Sequence, residues 1–202
     1  MKFESPEEEH VGWWIEALFE AGLVRHWGRS KSYPLAPAVS REWIERRFSP
    51  KTGKPLKSRH RTVKVFSEWS YEPDFEIQWA PAAHGIFYVE NALTYEGPDG
   101  HRMIAHNGVS TVEVKPALAR VNRMNHSRLL AARLAATALF QAHGVVTNLV
   151  QVSTRPKSFF DRTFTPDRFL WTNKSGMPRK IHFQPKSLDE FLESAEKLKT
   201  IE

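Results

Sequence analysis

Hydrophobic positions change their period several times along the chain, and each change marks an element. "SPEEEHVGWWIEALFEAGL" places Val11, Trp14, Ile15, Leu18 and Phe19 at helical spacing. Ser5 is its expected N-cap, Pro6 and Glu7, Glu8 and Glu9 suit a first turn, and Gly22 suits the stop. "VRHWGRSKSYPLAPAV" is extended and punctuated by proline. "SREWIERRF" predicts a short helix capped by Ser40, and "SPKTGKPLKSRHR" a basic loop that orders on a partner. "TVKVFSEW" and "YEPDFEIQW" alternate as strands do, with a kink at Pro73.

"GIFYVENALTYE" and "HRMIAHNG" flank "GPDG", a turn signal that predicts an inserted β-hairpin. "STVEVKPA" is a further strand ended by Pro116. "NHSRLLAARLAATALFQAHG" predicts a long helix from Asn125 or Ser127 to Gly144, and "VVTNLVQVST" a buried strand. An aromatic, basic, irregular stretch follows, then the amphipathic helix "SLDEFLESAEKLK". Strand, helix and strand over residues 112–152 form a crossover unit, which gives the chain an α/β class. Residues 1–154 are expected as a core domain, with residues 155–202 as a basic aromatic extension and terminal helix packed on it.

Composition narrows the possibilities. The 202 residues suit one domain with appendages. Cysteine is absent, which excludes disulfides, thiolate metal sites and a cysteine nucleophile and fits a cytoplasmic protein. No run of eighteen apolar residues offers a membrane span, and the acidic start "MKFESPEEEH" is unlike a secretory signal. Net charge is +6, with Lys and Arg gathered in residues 25–64 and 155–180. Such clustering suits a polyanion partner as well as a solvated surface.

Three residues carry candidate chemistry. Pro73 interrupts the strand ladder and can turn Asp74 out at a sheet edge. Glu113 and Lys115, two apart on a strand, project from one face while Val112 and Val114 face the other. An acid and a lysine on an apolar strand are costly unless partnered. Two carboxylates meeting from neighbouring strands would bind a hard divalent cation, and the lysine could orient water or stabilise charge on a phosphate. Each motif alone is common on surfaces and in turns; their joint order is much less so.

Pro73-Asp74 followed by Glu113-Val114-Lys115 resembles the motif of the PD-(D/E)XK nuclease superfamily. The resemblance covers roughly residues 4–154. It implies a restriction-endonuclease-like αβββαβ core with a mixed central sheet, the hairpin and the basic C-terminal extension being additions. "SYEPDF" and "TVEVKP" look most like phage-type endonuclease I resolvases, transposon end-cleaving nucleases and phage head-completion nucleases. The resemblance implies Asp74 and Glu113 as ligands of Mg2+ or Mn2+, the Val114 carbonyl as a further ligand, Lys115 as catalytic lysine and Glu8 as an auxiliary acid. Glu9 is nearly as good a match for that last role. The Asp-to-Glu spacing is longer than in compact members, and Glu90 in "FYVEN" is a rival second acid, with Ala92 at the lysine position.

Other candidates are weaker. His101 and His106 lack a third ligand, His126 suits a cap or phosphate contact, and His60 belongs to the basic loop. No serine-hydrolase elbow, Walker loop or dinucleotide glycine motif is present. Arg25, Trp27, Arg29 and Lys31 interleave charge with aromatics, as do the residues around Phe159, Phe160, Phe164, Phe169 and Trp171. Lys51, Lys54, Lys57, Arg59, Arg61, Lys157, Arg162 and Lys174 are the expected phosphate contacts, and the aromatics are either base-stacking surfaces or core. The reading is a magnesium-dependent DNA endonuclease, structure-directed or recruited by a protein partner, with a homodimer as the other partner the reading allows, and with phage or mobile-element roles such as recombination or transposition. The alternatives are a non-catalytic nucleic-acid-binding or assembly protein on the same fold, and an RNA nuclease.

Overall fold

The computed structural model describes residues 3–91, 102–116, 123–171 and 177–199, with side chains of 123–126, 198 and 199 excepted. In chain order its elements are α1 (Pro6–Glu20), β1 (Val24–Gly28), β2 (Tyr33–Ala36), β3 (Val39–Phe48), β4 (Pro55–Phe66), β5 (Trp69–Tyr71), β6 (Phe75–Trp79), a 3-10 turn (Pro81–Ala83), β7 (Tyr88–Glu90), β8 (Met103–Ala105), β9 (Val109–Pro116), α2 (Arg123–His143), β10 (Thr147–Val152), α3 (Phe159–Arg162), α4 (Asp167–Trp171) and α5 (Leu188–Lys199). The class is mixed α/β. The chain divides into two compact units, Met1–Lys31 with Pro73–Glu202, and Ser32–Glu72. The expected boundary after residue 154 separates no such units; the inserted segment 32–72 does.

The first unit is built on a four-stranded mixed sheet in the order β1-β6-β9-β10. β1 and β9 each run antiparallel to β6, and β10 runs parallel to β9. A parallel neighbour needs a crossover, which α2 supplies in 21 residues. It stops where Gly144 takes φ +68° and donates its N–H to the Phe140 carbonyl. α1 is capped as its sequence predicts: the Glu8 N–H donates to Ser5 Oγ at 3.2 Å, and the Ser5 hydroxyl donates to Glu8 Oε1 at 3.0 Å. Its apolar stripe, Val11, Trp14, Ile15 and Leu18, is fully buried.

Trp14 is a central ring of the core. It stacks on Phe164 and meets Phe87, Phe159 and Trp79 edge-on. Phe159, Phe160, Phe164, Phe169 and Phe191 all lie in this core, so the C-terminal extension packs on it. Phe159, Phe160, Phe164 and Phe169 are core and not base-stacking surface; of the aromatics in that predicted run Trp171 alone is exposed. Among the described residues no helix is long and apolar enough to cross a membrane.

Two predicted elements differ in the second unit. "SREWIERRF" is strand β3, not a helix, and the basic loop becomes the turn at residues 49–54 followed by β4. Nine residues make a helix that is marginal alone, even with Ile44 and Phe48 one turn apart. Cross-strand pairing from Val39↔Phe66 to Phe48↔Pro55 supplies what it lacks. The turn closes with Ser49 N–H donating to the Lys54 carbonyl at 2.8 Å and Gly53 at φ +64°.

The expected hairpin is also corrected. β7 and β8 pair in parallel, Tyr88 opposite Met103, so they are not arms of a hairpin, and "GPDG" lies outside the described residues. The tight reversal is instead Asn107-Gly108, with φ 52° and 72°, which folds β8 back into β9 through the His106↔Val109 bridge. Two successive positive φ angles are the chemistry of an Asn-Gly hairpin turn. The Asn148 side chain ties β8 to the sheet, accepting from the Ile104 N–H at 2.8 Å and donating to the Ile104 and Thr111 carbonyls.

His10 on α1 sits against Trp13 and edge-on to Phe169, and Arg179 Nη2 meets its Nε2 at 3.3 Å. Burial, reinforced by the Arg179 charge, pushes the imidazole down to about 4 from 6.5. The folded protein therefore favours neutral His10, and stability present above about pH 6.5 drains away as pH falls toward 4. Urea denaturation at pH 7.5 and 4.5 should show His10→Gln losing less stability than the wild type on acidification, by up to about 3 kcal/mol. Equal losses in the two proteins contradict this.

Candidate active site

Asp74 stands immediately before β6, where Pro73 has no N–H to extend the ladder. The antiparallel register pairs Phe75 with Val112, so one step further brings Asp74 beside Glu113. The contact is direct to the backbone: the Val114 N–H donates to Asp74 Oδ2 at 2.6 Å. Glu113 is buried on β9, and its Oε1 is paired with Lys115 Nζ on the same strand face. Glu113 Oε2 is buried with no hydrogen-bond partner.

Glu8 comes to the same place from the start of α1. Its Oε2 receives the Glu4 N–H at 3.1 Å and pairs with Arg29 Nη2 at 2.7 Å. Arg29 then reaches across to Asp74, with Nη1 at 3.8 Å from Oδ1 and donating to the Asp74 carbonyl at 3.5 Å. Its guanidinium also lies over the Phe75 ring. Asp74, Glu113, Lys115 and Glu8 are thus brought together from four positions spread over more than a hundred residues.

Arg29 was legible only as part of a basic-aromatic run. No spacing links it to Asp74, 45 positions away. The link is the pairing Gly28↔Glu76, which carries the residue after Gly28 to the end of β6. Glu9 does not join the cluster in any described contact. Glu90 is committed elsewhere, its Oε1 receiving the Gly108 N–H at 2.6 Å, which settles that carboxylate on the Asn-Gly turn. His106 meets Asn91 Oδ1 through Nδ1, His60 lies on the ribbon opposite Ile44, and His101 and the His126 side chain fall outside the described residues.

Electrostatics mark Asp74 as the strained member. Burial raises its pKa to about 6 from 3.8, helped by the Glu113 carboxylate and, less, by Glu8. The Val114 N–H and Lys115 oppose that rise. Two carboxylates forced together with one buried, unsatisfied oxygen form a hard-oxygen donor set that suits Mg2+ or Mn2+. Among the described residues no three His, Asp or Glu side chains are grouped as a ligand set. An ion here would rest on Asp74, Glu113, a main-chain oxygen such as that of Val114, and water, a coordination normal for magnesium.

The expected phosphate contacts are spread out. Lys51 and Lys54 lie at the turn of the second unit, and Lys57, Arg59 and Arg61 on exposed β4, where Arg61 Nε meets Glu45 at 3.2 Å. Lys157 and Arg162 are exposed around α3, and Lys174 lies outside the described residues. Comparisons of the chain with models of protein families, with curated proteins and with solved structures each find no match.

Two stability measurements check this geometry. Because Asp74 is charged above about pH 6 at a cost to the folded state, Asp74→Asn should stabilise the metal-free protein at pH 8 by about 1–3 kcal/mol, and hardly at all near pH 4. Arg29→Gln should destabilise it by about 1–3 kcal/mol at pH 8, since Glu8 loses its buried counter-charge. Urea denaturation in a chelator reads both; a destabilised Asp74→Asn protein would contradict the account.

Proposed function

We propose that this protein is a metal-dependent nuclease that hydrolyses DNA phosphodiesters at the Asp74–Glu113–Lys115 cluster. The observation that carries the reading is that convergence, with a buried Glu113 oxygen left without a partner. The element order α1, β1, β6, β9, α2, β10, with its strand directions, supports a restriction-endonuclease-like core, which the sequence resemblance implies.

A divalent cation bound to the two carboxylates would lower the pKa of water and offset charge on the scissile phosphate. The protein's own groups do the rest. Asp74 and Glu113 are held ready by the Val114 N–H and by Lys115. Lys115 is within reach to orient the attacking water or to stabilise the extra negative charge as its oxygen bonds to phosphorus. The bond to the departing sugar oxygen breaks and that oxygen takes up a proton. Arg29 holds Glu8 against Asp74, so the acids keep their places without a cation.

No helix-turn-helix or zinc site appears in the sequence, which favours DNA structure or a recruiting partner over base-specific cutting. A second reading, a nucleic-acid-binding protein without catalysis, has one observation in its favour: Glu113 and Lys115 neutralise each other. Supercoiled, branched and linear DNA with magnesium separate the two. The wild type should cut at least one of them, and Asp74→Ala and Lys115→Ala should each lower the rate at least ~100-fold. Calcium in place of magnesium should keep binding and stop cutting. Binding without cleavage in every protein would favour the second reading, and a preference for RNA in competition would make this an RNA nuclease.

A further inference from the structure

Over residues 39–66, the β3–β4 ribbon and its turn, the chain has nine Lys and Arg against two acids, a net charge of +7. The whole chain has 29 against 23, so the remaining 174 residues have 20 against 21 and are close to neutral. The largest local excess of positive charge lies on this ribbon. Every residue of β4 is exposed, and so is every residue of β3 but one.

Four of the ribbon's five arginines lie on one face. Pairing of Arg41 with Val63, Trp43 with Arg61 and Glu45 with Arg59 puts these residues on one side, and alternation along β3 adds Arg47 to it. That side presents four arginines around Trp43, which is 62% exposed. Glu45 anchors Arg61 through its Nε. Twelve residues of β4 at about 3.3 Å each span about 40 Å, a little over one turn of B-form DNA. The major groove, about 12 Å wide, admits a two-stranded ribbon.

We propose that the β3–β4 ribbon is a duplex-DNA-binding arm that lies in the major groove with the Arg41, Trp43, Arg47, Arg59, Arg61 face toward the DNA. The choice of DNA rests on the nuclease reading; the choice of a duplex rests on the ribbon. Arginines contact phosphates or guanine edges, and Trp43 and Val63 offer apolar contact to thymine methyl groups. The major groove of double-stranded RNA is too deep and narrow for such a ribbon. Exposed apolar side chains would also suit a second copy of the chain, but two ribbons of +7 repel each other, so the occupant is a polyanion.

Fluorescence anisotropy with a labelled DNA duplex of about two turns, in chelator so that nothing is cut, tests the arm on the full chain. The triple variant Arg41→Gln, Arg47→Gln, Arg59→Gln should bind at least tenfold more weakly at about 100 mM salt and lower the slope of log affinity against log salt by about three. Trp43→Ala should weaken binding with the slope unchanged. If near-ultraviolet circular dichroism shows the triple variant misfolded, Arg59→Gln decides, with a slope change of about one expected.

Wild-type affinity and slope in the variants overturn the proposal. So does wild-type binding of double-stranded RNA as tight as DNA, or no binding of duplex at low salt. A wild-type dimer in sedimentation that Trp43→Ala converts to monomer assigns the ribbon to a second copy instead. Ribbon-dependent binding without cleavage by any protein counts against the nuclease reading alone.

Discussion

The arrangement around Asp74 depends on one electrostatic constraint: two carboxylates from adjacent antiparallel strands are held together in a partly dry site. Neither strand alone creates it. The Phe75↔Val112 register brings them side by side, the Val114 N–H pins Asp74, and Lys115 pins one oxygen of Glu113. Solvent removal and mutual repulsion together lift the pKa of Asp74 to about 6. A fold that only needed stability would gain by replacing such a pair with apolar or amide groups. The pair stands at a proline-interrupted strand end next to an unsatisfied Glu113 oxygen, and the proposed cation site rests on that arrangement.

The counter-charges are arranged to hold this strain without removing it. Arg29 bridges Glu8 and Asp74 from the end of β1, and its fork reaches both carboxyl groups. Lys115 takes one Glu113 oxygen and leaves the other. The core behind is dense and aromatic: Trp14, Phe87, Phe159 and Phe164 pack around α1 and hold its N-terminus, with Glu8, in place. In the second unit the physical theme reverses. There charge is exposed, net positive and spread along a two-stranded ribbon, a surface suited to long-range attraction and not to precise chemistry.

Much of the first unit was legible because its signals are local. Ser5 caps α1 by accepting the Glu8 N–H, Gly22 and Gly144 stop their helices with positive φ, and β9 and β10 follow apolar runs. Asp74, Glu113 and Lys115 were legible through motif and order. Arg29 was not, because its role depends on strand pairing across 45 residues. The β3–β4 ribbon was misread because both of its faces are exposed, so burial imposes no period on its sequence. The hairpin expectation rests on "GPDG", which lies outside the described residues, whereas the two positive φ angles of Asn107 and Gly108 mark the reversal that the described structure contains. Tail aromatics could serve as core or as stacking surface until their burial was known.

The central claim is that Asp74 and Glu113 together hold one divalent cation. Crystals soaked in manganese and measured for anomalous scattering test it most directly. The account predicts one peak within bonding distance of both carboxylates, lost in Glu113→Gln. A peak elsewhere, or carboxyl groups that turn apart and leave the place between them to Arg29 at saturating manganese, would contradict it.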